Sequence, residues 1–255
     1  MQLIDTHCHL YLPEFKEDLA NVLLRAESEN VNRFYLPCVD SSVINDMLTL
    51  EQASPGKCFA MAGLHPCSVN QNFLQELSQI KDFSNKISFP AVGEIGLDFH
   101  WSTAFMHEQY QAFEMQMQWA LEEKLPIVIH TRNAMEETIR FVKPYADKGL
   151  KGIFHCFGGS YEEAAQIIEM GFLLGIGGVL TYKKSGLEQT LANIDLIHIV
   201  LETDAPYLTP APYRGRRNES SYIKIIAQKL AEVKNTSLEE VAAVTTANAE
   251  KIFGK

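Results

Sequence analysis

The stretch Leu3-Ile4-Asp5-Thr6-His7-Cys8-His9 decides how the rest of the chain is interpreted. Its apolar beginning is typical of a short β-strand, in which successive side chains point to opposite faces. His7 and His9 would then share one face with their rings a few ångströms apart, which suits two imidazole ligands of one metal ion. A His-x-His pair can equally well be packed in a core, so this stretch alone leaves both interpretations open.

Length and charge limit the number of domains and the kinds of substrate that the chain can have. The chain has 255 residues, is 46% hydrophobic and carries a formal net charge of −10, from 22 basic and 32 acidic residues. This length and composition are compatible with one globular domain over residues 1–255. Because the overall field repels polyanions, a nucleic-acid substrate would need a local basic patch or bound cations.

Cysteine usage and hydropathy indicate the compartment. The chain has five cysteines, an odd number, and no Cys-x-x-Cys motif, so we expect reduced thiols in the cytoplasm. It contains no apolar run of transmembrane length, and its first residues do not resemble a signal peptide. We therefore expect no membrane partner, and no obligatory protein partner is evident.

Short apolar runs recur along the chain, with starts about 21 to 35 residues apart, which is the length of a strand plus a returning helix. The runs are Leu3–Thr6, Arg33–Cys38, Cys58–Leu64, Ala91–Leu97, Pro126–His130, Lys151–His155, Phe172–Gly177 and Ile197–Thr203. Eight strand–helix units of this length predict a (β/α)8 TIM barrel in a single domain.

Helical periodicity fills the intervals between these runs. Apolar residues recur at helical spacing in Glu14–Asn30 and again in Phe105–Lys124. Ser160 is followed three residues later by a glutamate, which predicts a capped helix start. Two further helices, Ser220–Val233 and Ser237–Phe253, are predicted to close the chain.

Polar residues end most of the predicted strands. They are His7, His9, His65, Glu94, His130, His155, Glu202 and Asp204. Barrel active sites lie at the carboxyl ends of the strands, so these groups are expected to converge on one mouth. Clustered acids and imidazoles cost desolvation energy unless a cation offsets it, so the joint pattern favours a metal site over packing.

The types of ligand limit which metal ions can bind and how the ions can be arranged. Imidazoles suit zinc and related ions, while carboxylates also accept magnesium and manganese. The two histidines of the first strand and Asp204 can hold one ion, and His130 and His155 a second. Glu94 lies between them in barrel order and can bridge both. Asp204 can also take a proton from water, with Glu202 supporting a ligand from behind.

Seven motifs carry a resemblance to a known family: Asp5-Thr6-His7-Cys8-His9, Gly63-Leu64-His65-Pro66, Gly93-Glu94-Ile95-Gly96-Leu97-Asp98, His130-Thr131-Arg132, His155-Cys156-Phe157, Glu202-Thr203-Asp204-Ala205-Pro206 and Arg217-Asn218-Glu219. In this order, and over essentially the whole chain, they resemble the TatD family of metal-dependent hydrolases.

The resemblance implies a barrel, divalent metal ions and nuclease activity that removes nucleotides from a 3′ end of DNA. By motif, the metal positions of the family fall on His7, His9, Glu94, His130, His155 and Asp204. The chain departs from the family pattern at Cys67, where histidine is frequent, and at Ser220, where proline is frequent. Neither position is a proposed ligand, but both can alter substrate contacts.

Several side chains are candidates for contacting a phosphate chain. They are His65, Arg132, Lys183, Lys184, Arg214, Arg216, Arg217 and Asn218. The cations after strands seven and eight oppose the overall charge of the protein, and barrel loops at these places often bind phosphate. A solvated charge run remains the alternative, and Arg132 can pair with an acid instead.

Three functions compete. The sequence favours a metal-dependent phosphodiesterase, a 3′-5′ exo-deoxyribonuclease with a one- or two-metal site that holds magnesium, manganese or zinc and acts on DNA or RNA. The alternative is a metal-dependent ester or amide hydrolase, such as an aminoacyl-RNA deacylase or an amidohydrolase. Strand four ends in Glu94 and no predicted strand ends in lysine, which weakens amidohydrolase chemistry. A non-catalytic metal-binding protein ranks last, because every ligand position is filled.

Overall fold

The computed structural model describes residues 1–84 and 87–254 of the chain. Within these residues, eight short, mostly buried strands alternate with α-helices. The strands are β1 Leu3–Asp5, β2 Val31–Leu36, β3 Cys58–Ala60, β4 Val92–Asp98, β5 Ile127–Arg132, β6 Gly152–Phe154, β7 Leu173–Ile176 and β8 Ile199–Leu201. The helices are α1 Leu19–Ser28, α2 Ile44–Ala53, α3 Phe73–Ser84, α4 Met106–Glu123, α5 Met135–Ala146, α6 Tyr161–Glu169, α7 Leu187–Ala192, α8 Ile223–Lys234 and α9 Leu238–Phe253.

All neighbouring strands pair in parallel. Two ladders run β1-β2-β3 and β4-β5-β6-β7-β8. An isolated bridge between Ala62 and Val92 links the first ladder to the second. At the other seam Cys8 bridges Ala205, and Thr6 N–H donates to the carbonyl of Leu201 at 3.1 Å. The strand order and this linkage confirm the predicted (β/α)8 TIM barrel.

Each of the eight predicted strands is present, but most are shorter than the apolar runs that predicted them. The run Cys58–Leu64 yields only Cys58–Ala60 as a strand, although Met61 still donates to the carbonyl of Leu36 and Ala62 bridges Val92. The first predicted helix is shortened in the same way. Its early residues form a 3-10 turn at Pro13–Phe15, and α1 begins only at Leu19.

The barrel interior holds an apolar cluster of its own. Its members are Ile4, Tyr35, Phe59, Met61, Ala91, Val128, Ile153, Val200, Ala249 and Phe253. The last two belong to α9, and the Phe253 ring stacks on Tyr35 with centroids 3.8 Å apart. Side chains on a strand repeat every second residue, so His130 follows Val128 on the same face and His155 follows Ile153. The apolar interior therefore continues directly into a polar mouth.

The two helix starts that the sequence predicts most specifically are confirmed. Ser160 accepts from Glu163 N–H while the Glu163 carboxylate accepts from Ser160 N–H, a complete capping box. Ser237 accepts from Glu240 N–H at the start of α9.

No helix within residues 1–84 and 87–254 combines the length and hydropathy needed to cross a bilayer.

The cysteines agree with the expectation of reduced thiols. All five are free, and Cys8, Cys38 and Cys58 are buried. Cys67, one of the two departures from the family pattern, is exposed in the turn that follows β3. Ser220, the other, is buried where a 3-10 turn leads into α8.

Candidate metal centre

Six polar side chains from five strands converge at the mouth of the barrel; five of them lie at or just beyond a strand end, and Glu94 lies within β4. They are His7, His9, Glu94, His130, His155 and Asp204. His7 and His9 lie just beyond β1 rather than on it, with ring centroids 5.1 Å apart. Their rings nevertheless face the same space, because Cys8 between them keeps a ladder-like bridge to Ala205.

The first group of ligand atoms surrounds one oxygen of Glu94. His7 Nε2 lies 3.2 Å from Glu94 Oε2 and 3.7 Å from Asp204 Oδ1. His9 Nε2 lies 3.8 Å and 3.4 Å from the same two oxygens. Two imidazoles and two carboxylates thus point their polar atoms at a common centre.

The second group surrounds the other oxygen of Glu94. Oε1 lies 2.9 Å from His130 Nδ1, 3.0 Å from His155 Nε2 and 3.3 Å from His65 Nε2. Glu94 therefore presents one oxygen to each group of histidines, which is the arrangement that a bridging carboxylate requires.

A glycine of β4 permits this closeness. Gly96 adopts φ +146°, and a Cβ built there would overlap the carbonyl oxygen of His130 on β5. Only glycine tolerates both the backbone conformation and the contact. The motif Gly93-Glu94-Ile95-Gly96 is thus explained by the packing of β4 against β5, which brings Glu94 and His130 together.

The donor set fits a divalent cation. His7 is completely buried, and neither of its ring nitrogens has a hydrogen-bond partner among the described residues. A buried polar atom of this kind costs free energy unless something binds it, and His7 Nε2 faces two carboxylates. Burial, followed by the charge of His155, lowers the pKa of His7 and keeps it neutral, as a metal ligand must be.

Glu94 is held in its charged form. Burial acts most strongly on it and opposes ionisation, but the imidazoles of His155, His65 and His7 outweigh burial and lower the pKa of Glu94 well below its usual range. Asp204 behaves in the same way: burial opposes ionisation, and His9 leads the contacts that lower its pKa. Both carboxylates are therefore ready to bind a cation.

Glu202 supports a proposed ligand from behind. Its Oε1 lies 3.2 Å from His155 Nδ1 and accepts from Cys156 N–H at 2.6 Å. A Cβ at Gly175 would overlap the Glu202 carboxylate, so the glycine of β7 makes the space that this side chain occupies. A carboxylate on the far nitrogen of a ligating histidine fixes the tautomer and orientation of the ring.

Asp98 supports the ring of His130 in the way that Glu202 supports the ring of His155. Asp98 was assigned no role from the sequence. Its Oδ2 lies 2.9 Å from His130 Nε2, and the residue is 1% exposed. Burial opposes its ionisation, but His130 and the N–H groups of Trp101 and His100 lower the pKa of Asp98 strongly. The available signal was its position as the last residue of β4, one more acid at a strand end.

Asp5 acts as a structural anchor at the first seam. Its carboxylate accepts from Thr203 N–H at 2.9 Å and from the Thr203 hydroxyl at 2.6 Å. The residue is fully buried, and burial raises its pKa to about 7. The contact fixes the backbone directly before Asp204 against the strand that leads to His7.

His65 also faces Oε1 of Glu94, but it does so with its protonated nitrogen. Its Nδ1 accepts from Cys67 N–H at 3.0 Å, so in the neutral ring the proton is on Nε2. Nε2 faces Glu94 and has no free lone pair for a metal ion while that hydrogen bond is kept. His65 therefore presents an N–H donor to the centre, which suits contact with a substrate oxygen.

Most of the candidate phosphate contacts are exposed around the mouth. Lys183 and Lys184 follow β7, and Arg214 and Arg216 follow β8. The guanidinium carbons of the two arginines lie over tyrosine rings, 4.1 Å and 5.9 Å from the ring centroids. Arg132 at the end of β5 is exposed as well. These five side chains can reach a phosphate chain without breaking an ion pair found within the described residues.

Two of the expected substrate contacts, Arg217 and Asn218, are hydrogen-bonded within the protein. Both side chains are used inside the protein. The guanidinium of Arg217 donates two hydrogen bonds to the Asp18 carboxylate, from Nη1 to Oδ1 at 2.7 Å and from Nη2 to Oδ2 at 2.9 Å. Asn218 is fully buried and donates to the carbonyls of Thr203 and Tyr207 at 2.7 Å and 2.6 Å. These contacts tie the loop after β8 to its surroundings, and substrate contact by the two side chains stays a prediction.

Comparison with known proteins agrees with this geometry. A sequence model of the family described as "TatD related DNase" matches residues 4–254. The chain is 36% identical over 252 residues to "Uncharacterized metal-dependent hydrolase YabD" of Bacillus subtilis, and the match covers 98% of both proteins. It is 30% identical to "3'-5' ssDNA/RNA exonuclease TatD" of Pectobacterium carotovorum, over 98% of this chain and 99% of that protein.

Solved structures extend the comparison to three dimensions. YJJV, a TatD homologue from Escherichia coli, superposes with a TM-score of 0.93 at 26% identity, over 99% of this chain and 98% of the other. The phosphotriesterase homology protein from Escherichia coli superposes with a TM-score of 0.74 at 14% identity, over 99% and 98% of the chains. The second likeness concerns the fold alone.

Proposed function

Because the chain belongs to the TatD related DNase family of metal-dependent hydrolases, we propose that it is a 3′-5′ exonuclease of single-stranded DNA or RNA that uses two divalent metal ions. The relative from Pectobacterium carotovorum whose name states this activity supports the choice of substrate and polarity. The free cysteines support a cytoplasmic location.

One observation carries the two-metal part of the proposal. The two oxygens of Glu94 face different histidines, Oε2 towards His7 and Oε1 towards His155 and His130, so one carboxylate can serve both ions. His7, His9 and Asp204 would hold the first ion, and His130 and His155 the second. Bound divalent ions supply an activated water and stabilise negative charge on the phosphate.

The remaining chemistry falls to side chains of the chain itself. Asp204 keeps 14% of its side chain exposed at the mouth, so its carboxylate can accept the proton of the attacking water. The Nε2–H of His65 can donate to a phosphate oxygen. Glu202 and Asp98 hold the rings of His155 and His130 in place, so neither ring needs to reorganise when substrate binds.

The cations around the mouth can attract a polyanionic substrate to a protein whose overall charge repels it. A protein with a net charge of −10 must hold a polyanion locally. Lys183, Lys184, Arg214 and Arg216 supply four exposed positive charges from two adjacent loops. These loops follow β7 and β8, which is where barrels often bind phosphate.

The experiment that tests the proposal uses single-stranded oligonucleotides labelled at the 5′ end, with either a free or a blocked 3′ end. We expect a ladder of products shortened from the 3′ end, no attack on the blocked strand, and no products after chelation. A nitrophenyl carboxylate ester is assayed in parallel. Cleavage of the ester without cleavage of DNA or RNA would contradict the proposal and favour the ester hydrolase.

A further inference from the structure

Trp101 is the most exposed large apolar side chain among the described residues, with 70% of its surface accessible. It lies in the loop that joins β4 to α4, at the same end of the barrel as the metal centre. An exposed indole offers a large, rigid flat surface to another planar group. The proposed catalytic steps do not use it.

The loop holds this indole in a fixed place. Asp98 Oδ1 accepts from the N–H groups of His100 and Trp101 at 2.9 Å and 3.2 Å. The other oxygen of the same carboxylate lies 2.9 Å from His130 Nε2. One buried side chain therefore sets both the ring of a proposed metal ligand and the backbone that carries Trp101.

An arginine accompanies the indole. The guanidinium carbon of Arg132 lies 5.1 Å from the centroid of the Trp101 ring. Arg132 ends β5 two residues after His130, and Phe99 N–H donates to its carbonyl at 2.9 Å, so the two loops are joined. A guanidinium over one side of an indole, with most of the ring still exposed, is a combination that binds unpaired nucleobases and the phosphates between them.

We propose that Trp101 and Arg132 form a stacking subsite for one unpaired nucleobase of the substrate, next to the scissile phosphate. This inference rests on the proposed nuclease function and names the part of the substrate that is bound. Every base has a flat face, so the subsite accepts all sequences. A base inside a duplex is already stacked on its neighbours, so the subsite favours single strands.

Tryptophan fluorescence gives a direct test. The chain has two tryptophans, and Trp119 is 7% exposed on α4, so an emission change on binding reports Trp101. Metal-free protein is titrated with a short single-stranded oligothymidylate, which it cannot degrade. We expect quenching in the wild type, loss of the signal but near-normal affinity in Trp101→Phe, and affinity weakened about 5- to 150-fold in Trp101→Ala.

Kinetics separate this inference from the proposed function. With metal-loaded protein, Trp101→Ala should lower kcat/KM on single-stranded DNA but not on an abasic strand of the same length, which has no base to stack. Ile197→Ala is the matched control, since Ile197 is 56% exposed just before β8, at the opposite end of the barrel.

Two results would overturn the subsite. One is unchanged DNA affinity in Trp101→Ala. The other is a shift in sedimentation of that variant with DNA binding unaffected, which would make the indole a protein contact. A wild-type protein that binds DNA with quenching but hydrolyses no nucleic acid would refute only the exonuclease proposal.

Discussion

Glu202 Oε1 lies 3.2 Å from His155 Nδ1, while Nε2 of the same ring lies 3.0 Å from Glu94. The carboxylate behind the ring accepts a hydrogen bond from Nδ1–H, which in the neutral ring leaves the Nε2 lone pair for a cation. Asp98 repeats this relation at His130. The metal centre therefore consists of ligands and of a layer of acids that sets their tautomers.

Replacing Glu202 should weaken metal binding without removing a ligand. Glu202→Gln can donate as well as accept at His155, so the tautomer is no longer fixed. We expect metal affinity to fall about 10- to 100-fold, as measured by calorimetry on the stripped protein. Glu29→Gln, a half-buried acid paired with Lys224 away from the metal centre, is the control. Equal affinity in Glu202→Gln and wild type would mean that Glu202 serves the fold alone.

Glu94 and Asp204 should have separable effects. Glu94→Ala removes the carboxylate that faces both groups of histidines, so metal content and activity should both be lost. Asp204→Asn keeps the shape but loses basicity, so turnover should fall about 10²–10⁴-fold while most of the metal remains. Elemental analysis beside kinetics checks both variants. Wild-type turnover in Asp204→Asn would exclude it as the proton acceptor.

The exposed arginines and Arg217 should differ in what they support. Arg214→Ala with Arg216→Ala should weaken DNA binding and flatten its salt dependence by about one slope unit for each phosphate that the variant no longer binds. Arg217→Ala should leave the salt slope unchanged, because its guanidinium is engaged by Asp18. Binding titrations across salt concentrations decide the matter. The reverse pattern would place the phosphate chain along Arg217.

The Arg217–Asp18 pair should instead appear in acid unfolding. Hydrogen bonding from Arg217 lowers the pKa of Asp18 in the folded protein to about 2, below its unfolded value of about 3.9. The stability this provides is present above pH 4 and is lost as the pH falls toward 2. Because the pair is partly exposed, we expect no more than about 1 kcal/mol.

Urea unfolding of Arg217→Gln and wild type at several pH values measures this. The difference between their free energies of unfolding should shrink between pH 4 and pH 2. Arg214→Gln, whose guanidinium lies over Tyr182, should show no such trend. A difference that stays constant with pH would mean that Arg217 stabilises the fold through its contact with the Phe15 ring.

The sequence predicts the strand ends well because strands impose a strict alternation of side chains. His130 and His155 follow apolar interior residues by two positions, so their direction follows from the pattern. Glu94 is the exception: it is the third residue of β4 and Asp98 ends the strand, so the expectation that strand four ends in Glu94 is wrong. The barrel topology then brings these ends together, which is why the proposed ligands could be named before any geometry was known.

Loop side chains were less predictable, since no period fixes their direction. Arg217 and Arg216 are neighbours in the chain, yet one grips Asp18 and the other is exposed. Asn218 has the polarity of a substrate contact but is buried beneath the loop. Trp101 lies in a loop, where no strand or helix periodicity predicts its direction. Its proposed role in binding a base depends on the hydrogen bond that fixes its backbone.

The most direct test of the account follows nucleotide release from the 3′ end of single-stranded DNA in protein stripped by a chelator. Magnesium, manganese or zinc is then returned in measured amounts. We predict no release by the stripped protein, recovery that rises with occupancy up to two ions per chain, and no recovery in Glu94→Ala. Full activity in the metal-free protein would contradict the proposed metal centre.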